Sequence, residues 1–150
     1  MYRGINSLTL DGKSRLAIPA RYREPLVNYC EGRMVLTVDP DQCLLLYPAP
    51  EWEVIERKLA QLPSLNPSAR GLQRLLTGYA TDCDMDGNGR VLLPSMQREF
   101  AGIERSIVMI GQGNKFEIWD EAQWNSRRSE WLKAVKTGGA LPPEMESLAL

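Results

Sequence analysis

Two patterns of apolar positions alternate along this chain. Short apolar runs bounded by turn residues are typical of strands, whereas apolar residues that recur every three or four positions indicate helices. The runs predict strands at 8–10, 15–18, 34–38, 43–47, 80–85, 90–93, 107–110 and 116–119. The periodic stretches predict helices at 20–28, 51–62, 68–77, 95–101 and 121–135. Pro19 and Pro94 each end a strand and open the following helix, where a missing N–H costs little.

The same unit occurs twice. The segment DGKSRLAIP at 11–19 is matched by DGNGRVLLP at 86–94, which lies 75 positions later, and later elements match at an offset of 72. A shortening by three residues between the helix and the next strand accounts for this change. We interpret the chain as a duplication, with modules at 1–62 and 78–136, a linker and connecting helix at 63–77, and a mobile tail at 137–150 that ends in a short helix.

An Asp-Gly turn stands at the centre of each copy. Asp-Gly between two apolar runs is a strong short-range signal for a β-hairpin, so each copy is predicted to pair the strands on either side of its turn. A second hairpin and an amphipathic helix complete each copy. The predicted fold class is mixed α+β and rich in strands. Each unit is too small to bury a core alone, so the copies are expected to pack together.

Composition narrows the class of protein. With 43% apolar and 25% charged residues the chain is typical of soluble globular proteins, and no apolar run approaches the ~20 residues of a membrane span. The first residues lack a secretory signal, so we expect a cytoplasmic protein. The three cysteines are widely spaced, which argues against disulfides and a metal site. Histidine is absent, which disfavours an enzyme, and no cofactor is expected.

Charge is segregated along the chain. The net charge is −1, yet residues 1–24 carry five basic side chains against two acidic ones. Local rather than total charge decides where a phosphate backbone would bind. The basic residues are Arg3, Lys13, Arg15, Arg21 and Arg23.

Several other candidate sites have a structural explanation. Asp82, Asp84 and Asp86 copy the start of a calcium-binding loop, but Leu93 stands where its last ligand should be, so we reject calcium. The segment 111–115 resembles part of a phosphate-binding loop without its full spacing, and a tight turn is expected. The four tryptophans are expected to anchor cores or interfaces. The basic pairs at 57–58 and 127–128 are expected on solvated helix faces.

An Asp-x-x-x-Arg pair occurs at both turns. Arg15 and Arg90 each begin the strand after the turn, and Asp11 and Asp86 precede them by four residues. The planar guanidinium suits phosphate oxygens or the O6/N7 edge of guanine, and the carboxylate would fix its orientation. The first turn lies among basic residues and the second among aspartates. We therefore expect Asp11–Arg15 to be the main pair that contacts DNA and Asp86–Arg90 to be its weaker copy.

The chain resembles the MraZ family. The resemblance rests on five runs, which are YRG at 2–4, LDGKSRLAIPARYR at 10–23, LLLYP at 44–48, EWE at 51–53 and GNKFEIWD at 113–120. It implies tandem AbrB-like swapped-hairpin modules in a compact pseudo-two-fold barrel with flanking helices. It further implies a transcriptional regulator of the division and cell-wall gene cluster, associated with the nucleoid.

The resemblance also implies the partners. Double-stranded DNA with short promoter repeats would be bound by a ring-shaped homo-oligomer that presents several Asp-x-x-x-Arg loops at once. No membrane or small-molecule substrate is expected. The main alternative is a protein-interaction module, because AbrB-like folds also serve as antitoxins that hold a toxin; the short tail, poor in anchoring residues, argues against it. An enzyme is the third and least favoured alternative.

Overall fold

The computed structural model describes residues 1–63, 65–138 and 142–148. Eight strands and five helices lie in these ranges, followed by a short 3-10 helix at Pro143–Leu148. The strands are β1 (Ile5–Thr9), β2 (Arg15–Ala17), β3 (Met34–Val38), β4 (Leu44–Pro48), β5 (Thr81–Asp82), β6 (Arg90–Leu92), β7 (Ser106–Gly111) and β8 (Phe116–Asp120). The helices are α1 (Ala20–Cys30), α2 (Ala49–Ala60), α3 (Pro67–Gly78), α4 (Ser95–Ala101) and α5 (Glu121–Lys136).

Six of the strands form one antiparallel sheet in the order β1-β7-β8-β4-β3-β5. Because β1 and β5 lie at its two ends, this sheet is open. The remaining strands, β2 and β6, pair with each other as a separate two-stranded ribbon. The mixed α+β class is therefore confirmed, whereas the compact barrel stays a prediction.

The sheet lies between two apolar cores. Side chains of a strand alternate between its faces, and in β3 Leu36 belongs to one core cluster while Val35 belongs to the other. The first core contains residues of the β2–β6 ribbon, α1 and α4; the second contains residues of α2 and α5, with α3 packed against it. Both faces are covered, which explains why β3 and β4 read as continuous apolar runs.

The strands beside the Asp-Gly turns are exchanged between the two copies. Both turns close locally, since the Asp11 N–H donates to the Arg15 carbonyl at 3.0 Å and the Asp86 N–H to the Arg90 carbonyl at 2.8 Å. However, β1 pairs with β7 and β2 pairs with β6. The predicted pairing of strands across each turn is therefore wrong. This exchange buries both Leu10 and Leu16, which flank the first turn, in one core.

Other differences from the sequence-based prediction are small. The second copy is three residues shorter than the first because its helix α4 has 7 residues where α1 has 11, while the loop that follows the helix is one residue longer in the second copy. Of the strand predicted at 80–85, only the two residues of β5, Thr81–Asp82, form a strand. A short helix near the end is confirmed by Pro143–Leu148, while the predicted mobility of the tail falls partly on 139–141 and 149–150, outside the described residues. No helix in the described ranges is long and apolar enough to cross a membrane.

Candidate nucleic-acid interface

The β2–β6 ribbon brings the two turns together. Its register pairs Arg15 with Leu92, Leu16 with Val91 and Ala17 with Arg90. Directly paired residues of antiparallel strands point to the same side. Leu16 and Val91 are fully buried in the first core. The other two pairs therefore lie on the opposite side, which we call the outer face: Arg15, Ala17, Arg90 and Leu92.

Asp11 organises the first turn. Its Oδ1 accepts hydrogen bonds from the backbone N–H groups of Lys13 and Arg15, both at 2.9 Å. Its Oδ2 accepts the Nε–H of Arg15 at 2.8 Å. The backbone hydrogen bond from Arg15, followed by the one from Lys13, lowers the pKa of the Asp11 carboxyl despite some desolvation. The carboxylate thus holds Arg15 at Nε, and the two terminal nitrogens of Arg15 form no hydrogen bond with the residues that the structure describes.

The second turn is built in the same way around Asp86. Its Oδ1 accepts the backbone N–H of Arg90 at 3.0 Å and that of Asn88 at 2.8 Å, and these hydrogen bonds, that from Arg90 first, lower the pKa of the Asp86 carboxyl. The Arg90 guanidinium, however, approaches the other turn: Nη1 lies 4.0 Å from Asp11 Oδ2. The Arg90 side chain is 41% exposed against 32% for Arg15. One carboxylate, that of Asp11, therefore contacts both arginines.

Arg23 also connects the copies. Its Nε donates to the Ile18 carbonyl at 2.7 Å, and its side chain packs over Gly89 in the second turn. Gly89 has φ +76°, a conformation that glycine adopts without strain, and a Cβ there would come within 2.5 Å of Arg23 Nε, so a larger residue would require the Arg23 side chain to shift. Arg98 repeats the first contact by donating to the Leu93 carbonyl at 2.9 Å. The second turn thus receives a positive charge that its sequence neighbours do not supply.

The sequence-predicted residues fall into two groups. Asp11, Lys13, Arg15, Arg23, Asp86 and Arg90 lie at the ribbon or directly beside it. Arg3 precedes β1, and the extended segment from Gly4 to Leu10 that contains β1 spans about 20 Å, so Arg3 lies far from the first turn. The Arg21 guanidinium donates to Asn6 in β1 at 2.9 Å and does not join the outer face. Sequence reasoning missed Arg105, which reaches the first turn through strand pairing and donates to the Leu10 carbonyl at 3.5 Å.

The alternative sites have structural roles, with one difference from the expectation: Arg127 does not lie on a solvated helix face, because its guanidinium lies 5.7 Å from the ring centroids of both Trp119 and Trp131. Asp84 accepts the Met34 N–H at 3.3 Å, Asp82 pairs with β3 and Asp86 caps its own turn, and no metal-binding group of three or more such residues occurs in the described ranges. The 111–115 segment is the turn between β7 and β8. Of the four tryptophans, three are buried and Trp131 is 39% exposed. The three cysteines are free and buried.

Comparison with known proteins identifies the family. The family model described as "MraZ protein, putative antitoxin-like" matches residues 1–75 and again 76–135. The chain belongs to the MraZ family. A protein of Halorhodospira halophila named "Transcriptional regulator MraZ" is 55% identical over the whole of both chains. Proteins of the same name from Thioalkalivibrio sulfidiphilus and Pseudomonas aeruginosa are 51% and 50% identical, each over the whole of both chains.

Membership of the MraZ family confirms two predictions from the sequence. The resemblance to this family is correct, and the family is one of transcriptional regulators rather than enzymes. The assignment of DNA-contacting residues and the module boundaries at 62, 78 and 136 stay predictions.

Proposed function

We propose that the chain is a transcriptional regulator that reads double-stranded DNA with the outer face of the β2–β6 ribbon. One observation carries the proposal: Arg15 and Arg90, from separate copies, lie on one exposed face and meet at the Asp11 carboxylate. A two-stranded β-ribbon fits the major groove of B-DNA, and arginine forms bidentate hydrogen bonds with guanine O6 and N7 there. The names of the relatives support a role in transcription.

The two arginines have different degrees of preorganisation. Arg15 is held through Nε, so its two terminal nitrogens are free to bind a guanine edge without further ordering. Arg90 has only the longer, 4.0 Å contact with Asp11. This difference supports the expectation that Arg15 is the main reader. Lys13 is exposed in the first turn and supplies attraction to phosphate, as do Arg23 and Arg105 beside the turns.

A pseudo-two-fold relation between the copies belongs to the same proposal. The strands of the sheet follow the order β1-β7-β8-β4-β3-β5. If each strand is replaced by its counterpart in the other copy, the result is the same order read from the opposite edge of the sheet. The axis would pass through the Leu16–Val91 pair of the ribbon. The compact barrel of sheet and ribbon, and modules at 1–62 and 78–136, are part of this arrangement.

We further propose that several chains act together as a ring-shaped homo-oligomer. Each ribbon strand has only three residues, so one ribbon offers few base contacts. Linked ribbons on repeated sites raise the affinity through effective concentration. The protein would act in the cytoplasm, at the nucleoid, on promoter repeats of the division and cell-wall gene cluster. Native mass spectrometry measures the number of subunits, and duplexes with one or several repeats test the gain in affinity.

Fluorescence anisotropy with the DNA upstream of the protein's own gene tests the proposal. We expect Arg15→Ala to abolish the preference for this duplex over a shuffled one, and Arg90→Ala to weaken it less. Arg128→Ala is the matched control, because Arg128 is exposed on α5, which packs on the other side of the sheet. Unchanged binding by Arg15→Ala, or an equal loss by the control, would refute the proposal.

A further inference from the structure

The outer face of the ribbon is symmetric in its arginines but not in its apolar side chains. Arg15 and Arg90 are counterparts in the two copies, and the same offset makes Ala17 and Leu92 counterparts. Leu92 lies directly across from Arg15, and Ala17 lies directly across from Arg90. One arginine therefore has a large apolar neighbour across the ribbon and the other has a small one.

Leu92 is placed to contact a ligand rather than the core. Its side chain is 53% exposed, whereas Val91 and Leu93 on either side are fully buried. A single exposed leucine needs no explanation by itself. Here, however, the leucine lies directly across from Arg15 and two residues after Arg90, on the face that the proposed function directs into the major groove.

We propose that Leu92 contacts the C5-methyl group of a thymine and thereby gives the ribbon a direction on DNA. This inference rests on the proposed function and adds a specificity-determining residue to it. In the major groove only thymine presents a methyl group, and apolar side chains recognise it by contact. Ala17 has three fewer carbon atoms than Leu92 and reaches less far from the ribbon, so we expect the methyl requirement of a site read by this ribbon to be stronger on the Leu92 side of its centre than on the other.

Uracil substitution tests the contact, because it removes only the methyl group. The probe is a duplex selected by the wild-type chain from a random pool, made with thymine or with deoxyuridine at each position in turn. We expect the wild type to lose about fourfold in affinity at one thymine, the effect of one buried methyl-sized group. Leu92→Ala should bind the thymine duplex about as weakly as the wild type binds the uracil duplex, and should lose nothing further on uracil.

Ala17→Leu is the matched variant. It places a leucine at the counterpart position and should create a second uracil-sensitive thymine on the other side of the site. Thermal unfolding of both variants checks that the fold is intact, and the exposure of Leu92 leads us to expect an unchanged midpoint.

The outcomes separate this inference from the proposed function. If Leu92→Ala and wild type respond equally to uracil, or if neither responds, the methyl contact is wrong, even where Arg15→Ala still abolishes specific binding. If the selected duplex is bound no better than a shuffled one and Arg15→Ala has no effect, the proposed function itself fails. The inference is supported if uracil weakens DNA binding by the wild type but not by Leu92→Ala.

Discussion

Replacing Arg15 by lysine separates shape recognition from charge. The substitution keeps one positive charge at the start of β2 but removes the planar fork of donors. In the structure, Arg15 uses Nε for Asp11 at 2.8 Å and keeps two terminal nitrogens available. A lysine ammonium that binds Asp11 cannot also present two parallel donors to a guanine edge. The variant should therefore lose specificity while it keeps its attraction to DNA.

The size of the loss follows from the number of contacts. One bidentate arginine–guanine contact discriminates against a wrong base by about 1–3 kcal/mol, which corresponds to roughly 5- to 150-fold. The ratio of affinities for the upstream duplex and a shuffled duplex should fall by that factor in Arg15→Lys. The slope of log K against log salt should not change, because the number of phosphate contacts is the same.

Lys13→Gln is the converse control in the same turn. Lys13 holds its place through its backbone N–H, which Asp11 accepts, so its side chain is not needed for the turn. We expect the salt slope to fall by about 0.9 for one lost phosphate contact and the specificity ratio to stay the same. Anisotropy titrations between 50 and 200 mM salt, roughly the range over which such binding weakens strongly, measure both quantities. If Arg15→Lys instead lowers the slope and keeps the ratio, the arginine contacts phosphate and the reasoning is refuted.

Four further predictions concern the carboxylates, their pH dependence, the core and the thiols. Asp11→Asn should lower the specificity ratio more than Asp86→Asn, because only Asp11 contacts the side chain of Arg15; equal effects in anisotropy would contradict this. Backbone hydrogen bonds lower the pKa of both carboxyls from their ordinary value of 3.8. Their contribution to stability is therefore present above that pH and is lost as the pH falls through the lower folded pKa, which NMR titration of the carboxyls measures. Leu16→Ala should lower the free energy of unfolding by about 2–5 kcal/mol, since the side chain is fully buried, and a smaller loss by chemical denaturation would refute its place in the core. The three buried cysteines should resist alkylation at pH 8 until the chain is unfolded, because burial raises their pKa, in one case to about 12; mass spectrometry of the native protein checks this.

Local elements were predictable from the sequence because their signals are local. The hairpin of β3 and β4 has its strands within a residue of the predicted bounds, as has the hairpin of β7 and β8. The start of α2 was missed by two residues, because Pro50 fits the first turn of the helix rather than preceding it. The partner of each short strand did not follow from the residue pattern alone, since an Asp-Gly turn fixes the reversal of the chain but not which strand lies beside it; an exchange was expected only from the resemblance to a family of swapped-hairpin modules.

The candidate site shows the same limit. Repetition of Asp-x-x-x-Arg pointed to Arg15 and Arg90, and the structure puts both at one ribbon. Counting charges along the sequence led to a wrong picture of the surroundings of the two arginines. Because the strands are exchanged, Arg23 lies beside the second turn and Arg90 lies beside Asp11 of the first turn. Arg3 and Arg21 were grouped with the site because they are near in sequence, although the extended segment from Gly4 to Leu10 separates Arg3 from the turn by about 20 Å and Arg21 donates to Asn6 in β1.

Hydrogen exchange measured with and without DNA tests the central claim most directly, namely that the two turns form one reading surface. With the specific duplex bound, we expect amides of 11–17 and 86–92 to be protected together, and those of α5 on the other side of the sheet to be unchanged. Protection of only one turn, or protection of α2 and α5 without the ribbon, would contradict the account.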